Sequence, residues 1–371
     1  MSFSSSIYQS SEQLQAHIIY QYFEKWSSQV VQQIKVEKLE EKLVFVDFAA
    51  ETFSFDNKQQ LLPQLLHNID KNKNLRQMLL SIWNTTSPTL EQEIADTIAT
   101  TTKDWYFEPF VQLADTTWQL PKELQKVTHL PTFALVDSWN NEFADTAFLS
   151  NLVDHDGDCL LHFDYKKVIA AIPRAKHQDR LQRLFGVARL EQLRIDWLQK
   201  PSRKQKEQLV HAAFCRQLET TLGIIAPPFC YDFYDEKDKA AYGLFFLTKQ
   251  PFAYELMRKV MTKSSQVLED GIGSFSYRPA LADHQVLHQN QTLFGAMFEL
   301  EQQLVKTFRK KTLQVKDVYA NFHWGRTYIK QNYLDALKNL DKKQQISIKR
   351  RPNRFGNLPP IGERTFVSFN R

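Results

Sequence analysis

The sequence predicts an α/β protein: a sheet-and-helix body followed by a separate, basic, mostly helical C-terminal module. Three observations carry this. First, KLVFVDFAA (42–50), TFALVD (132–137), DCLLHF (158–163) and AYGLFFLT (241–248) are short apolar runs that read as buried strands. Second, stretches with helical spacing lie between them, the alternation expected of a parallel sheet. Third, charge is divided. From Glu301 to Arg371 there are 16 Lys and Arg against 5 Asp and Glu, a net of +11, while the rest of the chain has 31 against 37, a net of −6. A basic end on a mildly acidic body suggests a polyanion-binding module; a solvated tail is the alternative.

The elements follow in chain order. Leu14, Ile18, Ile19, Tyr22, Phe23, Trp26, Val30 and Val31 recur at helical spacing and open the chain with an amphipathic helix. After the first strand, the spacing predicts helix over 61–83 and again over 89–100. Residues 166–185 read as helix broken at Pro173, and 204–222 as helix ended by Pro227-Pro228. Pro251 opens a helix through Met261. Residues 271–288 read as a loop joining body to module, and the domain boundary is placed between 290 and 291.

Composition narrows the class. Ten glycines in 371 residues is well below the usual ~7%. The cysteines, Cys159, Cys215 and Cys230, are too scattered for a disulfide framework or zinc knuckle, and core packing is their default reading. No apolar run reaches eighteen residues and the N-terminus has no secretory pattern, so a cytoplasmic protein without membrane association is expected.

The C-terminal module reads as helix (294–310), short helix (313–322), a His323-Trp324-Gly325 turn, a third helix (326–342), and two alternating segments, 345–349 and 363–369, around the loop RRPNRFGNLPPIG. That order is a winged helix-turn-helix. Its third helix would offer Arg326, Thr327, Lys330, Gln331 and Asn332 to a major groove, and its loop Arg350, Arg351 and Arg354 to phosphates or a minor groove. DNA or RNA is the expected partner; protein docking by the same module is the alternative.

Tyr22…Trp26, VDFAAE, TFALVDSWN, CLLHFDY, Leu184-Phe185-Gly186 and AYGLFFLTKQPFAYELMRKVM in the body, with YIKQNYLDALKNLDKKQQISI in the C-terminal module, together resemble the three-Cys-motif partner (TcmP) family. The resemblance spans most of the chain. It implies a bacterial protein of a defence or mobile-element system, with a protein partner in that system. It also implies a Rossmann-like methyltransferase-type sheet with helical additions, ahead of the winged helix-turn-helix. A cofactor would then be held by Asp47, Phe48, Ala49 and Glu51, and chemistry carried by Asp137, Trp139 and Asn140. Two departures matter. The family's first loop resembles D-x-F-A-G-x-G, and both glycines are absent here; its second motif resembles D-P-[FW]-G, and Asp137-Ser138-Trp139-Asn140 lacks the proline and glycine. Backbone approaches a nucleotide-like ligand closely only past small residues. The expectation is therefore an inactive scaffold with no cofactor, S-adenosylmethionine binding being the alternative. Asp47, Glu51 and Asp137 could also form a paired-carboxylate or metal site, against a plainer role as caps or solvated acids. The His155, Asp156, Asp158, His162, Asp164 cluster is read as turn and packing rather than metal.

Overall fold

The computed structural model describes residues 10–37, 42–53, 61–102, 105–113, 130–141, 145–155, 157–223, 228–265, 267–268, 272–279, 286–287, 295–350 and 359–369. The chain divides into two compact units, one of Met1–Ser264 with Ser276–Asp283, the other of Ser265–Phe275 with His284–Arg371.

The first unit contains strands β1 (Leu43–Asp47), β2 (Leu79–Thr85), β3 (Phe110–Leu113), β4 (Thr132–Asp137), β5 (Gly157–Asp164), β6 (Phe229–Tyr234), β7 (Ala240–Leu247) and β9 (Ser276–Tyr277). They form one sheet in the order β3-β2-β1-β4-β5-β7-β6-β9. β3 through β5 run parallel, β7 runs against both its neighbours, and β9 is parallel to β6. The sheet is thus mostly parallel and compatible with a Rossmann-like fold. The order reverses between β1 and β4, and open α/β sheets bind ligands outside the strand ends at such a switch point.

Helices cover both faces: α1 (Ser11–Glu37), α2 (Ala50–Phe53), α3 (Leu61–Lys71), α4 (Lys73–Met78), α5 (Pro88–Thr101), α6 (Thr146–Asp154), α7 (Tyr165–Ala171), α8 (Gln178–Phe185), α9 (Val187–Leu198), α10 (Arg203–Leu222) and α11 (Pro251–Lys263). Strand alternation sorts the core. On one face Phe45, Phe133 and Phe246 meet Tyr22, Phe23 and Trp26 of α1 at ring separations of 4.8–5.9 Å. On the other, Phe163 and Phe245 meet Phe214 of α10 at 4.3 and 5.1 Å. Caps set the helix starts: Ser87 accepts from Leu90 N, Asp145 from Phe148 N, and Ser202 with Gln205 closes a capping box.

Several expectations need correcting. Leu79–Trp83 is not the end of a helix but most of β2, buried throughout. Buried apolar strand and helix cannot be told apart by periodicity over so short a run. β7 is antiparallel, and residues 276–277 extend the sheet rather than looping. β3, α6, α9 and β6 fall on segments to which the sequence pattern assigns no helix or strand.

The second unit contains α12 (Ala296–Thr307), β11 (Thr312–Gln314), α13 (Val315–Phe322), α14 (Lys330–Lys342), β12 (Ile346–Lys349) and β13 (Phe366–Phe369), with a short parallel pair, β8 (Val267–Leu268) and β10 (Val286–Leu287). β13 lies between β11 and β12, antiparallel to both. Leu300, Leu304, Phe308, Val318, Phe322, Tyr333, Leu337, Leu340 and Val367 form its core. α14 begins at Lys330, not Arg326: Gly325 takes a positive φ of 70°, 326–329 belong to no helix or strand, and Ile329 is extended as the residue that precedes the first turn. The second helix begins at Val315, its expected first residues being β11.

Candidate functional site

The β1–β4 switch point is built around two buried carboxylates. Asp47 ends β1 and accepts from Ala49 N at 2.9 Å. Asp137 ends β4: Oδ1 accepts from Trp139 N (2.7 Å) and Asn140 N (2.8 Å), Oδ2 from Asn140 Nδ2 (2.9 Å) and Thr52 Oγ1 (2.8 Å). His162 Nδ1 lies 3.5 Å from Oδ2, an ion-pair separation without hydrogen-bond geometry. Burial pushes Asp137 up, but the adjoining His162, the Asn140 backbone and Thr52 outweigh it and hold the carboxyl far below the usual range. Its lone pairs are committed to its own turn and to Thr52, which makes it a positioning group rather than an available base.

Above these strand ends sits α2, where glycine-rich loops normally lie. Each of its last three residues reaches a different strand. Glu51 Oε1 accepts from Thr85 Oγ1 (2.6 Å), from Thr86 N and from Thr86 Oγ1 (2.9 Å), beyond β2. Thr52 bonds Asp137 of β4, and its carbonyl accepts from Gln15 Nε2 of α1 (3.2 Å). Phe53 is fully buried, its ring edge-on to His162 of β5 at 6.1 Å. Glu51 is therefore turned away from Asp137, and no three-carboxylate cluster forms among Asp47, Glu51 and Asp137.

The remaining residues expected here have packing partners. Phe48 is buried against Phe148 at 5.2 Å, and Ala49 is buried beneath α2. Trp139 is 8% exposed, with the Arg180 guanidinium 5.1 Å and the His177 ring 5.7 Å from its ring. Asn140 alone of that motif is exposed, its Oδ1 accepting from Lys167 Nζ at 3.4 Å. Asn141, which sequence reasoning passed over, stitches the two loops: Nδ2 donates to Phe48 O (2.5 Å), Oδ1 accepts from Asp137 N (3.3 Å). The His155–Asp164 cluster does not converge either. Asp158 accepts from Tyr22 OH and Thr248 Oγ1, His162 faces Asp137, and Asp164 caps α7 through Lys167 N; Asp156 lies outside the described residues.

In the second unit the expected nucleic-acid contacts separate. Asn332 is buried and turned back to accept from Ile329 N at 2.9 Å, so it caps α14 and is not offered to a groove. Arg326 stacks on Phe322 at 3.8 Å and donates to Gln303. Thr327 and Gln331 are exposed, Gln331 bonding Asp335 at 3.0 Å. Lys330 pairs with Glu363, and Arg350 lies 3.7 Å from Asp341. Arg351 and Arg354 lie outside the described residues. Sequence reasoning missed a second group of cations. Arg309, Lys310, Lys311, Lys316 and Arg364 are all exposed. Backbone bonds from Lys310 N to Phe369 O and from Lys316 N to Glu363 O gather them beside β13. Lys330, then Arg364 and Lys316, hold the Glu363 carboxyl below its ordinary value, so all three surround it.

No family model matches the chain. No curated protein matches it either.

Proposed function

We propose that the second unit is a winged helix-turn-helix that binds nucleic acid, carried on a methyltransferase-type body that acts as a scaffold. The observation that carries this reading is the order α12-β11-α13-α14-β12-β13, with β13 between β11 and β12, joined to a net charge of +11 over residues 301–371. α13 braces α14, whose first turn carries Lys330 and Gln331; the cations near β13 supply sequence-independent phosphate contacts. On this reading Lys316, Lys330 and Arg364 grip backbone, and α14 approaches the groove. The test is fluorescence anisotropy with a labelled DNA duplex, comparing the wild type with Lys316→Ala/Lys330→Ala/Arg364→Ala. At least a tenfold loss of affinity is expected, and unchanged affinity contradicts the proposal.

For the body, the strand order with one antiparallel strand slotted beside β5 supports a methyltransferase type, and α2 supports loss of its cofactor. What supports this is that α2 ties β2, β4 and β5 together through Glu51, Thr52 and Phe53 at the place where a cofactor-binding loop would need small residues. Calorimetric titration with S-adenosylmethionine is expected to give no saturable heat; micromolar binding would restore the enzyme reading. These features fit an accessory protein of the TcmP type in a bacterial defence or mobile-element system.

A protein partner is favoured by one feature of the body. Val187, Ile195 and Leu198 of α9 are 57%, 55% and 87% exposed and fall on one side of the helix. Val187→Asp/Leu198→Asp should abolish co-purification of such a partner while leaving DNA affinity unchanged.

A further inference from the structure

On the face of the sheet covered by α10, a cluster forms that plays no part in the switch point. Cys230 and Asp232 alternate on β6 and so point the same way. His211 projects towards them from α10. Their donor atoms lie within 4.8 Å of one another, the one such group of three His, Cys, Asp or Glu side chains among the described residues. The Tyr165 hydroxyl, at the head of α7, ties two of them: it bonds His211 Nδ1 at 2.6 Å and donates to Asp232 Oδ1 at 3.3 Å. Space for the cluster depends on Gly243 of β7, which pairs with Asp232. A Cβ at that position would lie 2.6 Å from Cys230 Sγ and 3.1 Å from Asp232 Oδ1.

We propose that His211, Cys230 and Asp232 bind a divalent transition-metal ion of the zinc class. A tetrahedral zinc shell with ordinary bond lengths has donor-to-donor edges of about 3.3–3.8 Å. Cys230 Sγ and Asp232 Oδ1, at 3.2 Å, already nearly span one. The remaining separations, within 4.8 Å, must shorten by up to about 1–1.5 Å to complete the shell. The donor set is one soft thiolate, one imidazole and one carboxylate, which suits zinc better than magnesium or calcium. Tyr165 supplies the outer hydrogen bonds that orient metal ligands. Binding displaces the Cys230 proton to solvent, so a cation replaces a proton between thiol and carboxylate. Three protein donors leave a fourth position for water.

The test titrates the full-length, metal-stripped protein with Co2+, which reports thiolate ligation by a sulfur-to-cobalt charge-transfer absorption. One equivalent should bind with that band, and Zn2+ should displace it. Cys230→Ser should remove the band and weaken binding at least tenfold, while His211→Gln should weaken binding and keep the band. A wild-type protein that shows no thiolate band at saturating Co2+ overturns the proposal whether or not any variant folds. So does a folded Cys230→Ser protein with unchanged spectrum and affinity.

Discussion

Asp137 and Gly243 show how single positions organise this body. Asp137 accepts four hydrogen bonds while almost wholly buried. Asp137→Ala should cost about 3 kcal/mol, because four donors lose their acceptor. Urea unfolding at neutral pH checks this through a lower midpoint at unchanged slope. The pH dependence has a definite sign. The folded-state pKa lies below the unfolded value of about 3.9, so the stabilisation is complete above that value. It is lost as pH falls through the folded value. Asp137→Asn should flatten the acid side of the stability profile below about pH 4. At Gly243, a methyl group meets Cys230 Sγ. Gly243→Ala should cost about 1–3 kcal/mol, and Cys230→Ala should relieve part of it, a coupling readable as non-additivity in a double-mutant cycle.

At the scale of elements, α2 and α14 carry the account. α2 has four residues and no stability of its own; it exists because Glu51, Thr52 and Phe53 are each held by a different strand. Phe53→Ala should destabilise the fold by about 3–5 kcal/mol, measured by thermal or urea unfolding. On α14, Asn332→Ala should cost about 1 kcal/mol as a lost cap yet leave DNA affinity of the folded protein unchanged. A large affinity loss would return Asn332 to the groove, where its position near the helix start had placed it. These elements also mark how far the sequence could be read. β1 and β4 were legible because they are isolated apolar runs ending in Asp. β2 was not, because Leu79-Leu80 continues the apolar spacing of α3 and α4 and only tertiary pairing with β1 makes it a strand. Asp47 and Asp137 could be placed at strand tips from their runs alone, but the partners that Asp137 meets in Thr52 and His162 come from another loop and another strand. The His211–Cys230–Asp232 group is invisible for the same reason: its two halves lie on different elements, and Cys-x-Asp alone carries no signal. Asn332 misled because helix position does not reveal whether a polar side chain turns outward or back to the backbone.

At the scale of the molecule, the chain forms two compact units, and the proposed function divides between them along the charge difference in the sequence. The body has a mostly parallel, Rossmann-like sheet with α2 tied across the ends of β2, β4 and β5, and the second unit concentrates positive charge on a small helical core with a three-stranded sheet. The membrane plays no part in this reading; among the described residues no helix is long and apolar enough to cross one. What distinguishes nucleic-acid binding from protein docking by such a unit is counterion release, which only a polyanion with condensed ions can give. The most direct test is therefore the affinity of the full-length protein for duplex DNA across a series of salt concentrations. A straight fall of log K with log salt is expected, with a slope of about −0.9 per phosphate contact, made shallower by roughly one for each of Lys316, Lys330 and Arg364 replaced by alanine. No binding at low salt, or a slope that the three replacements leave unchanged, would contradict it.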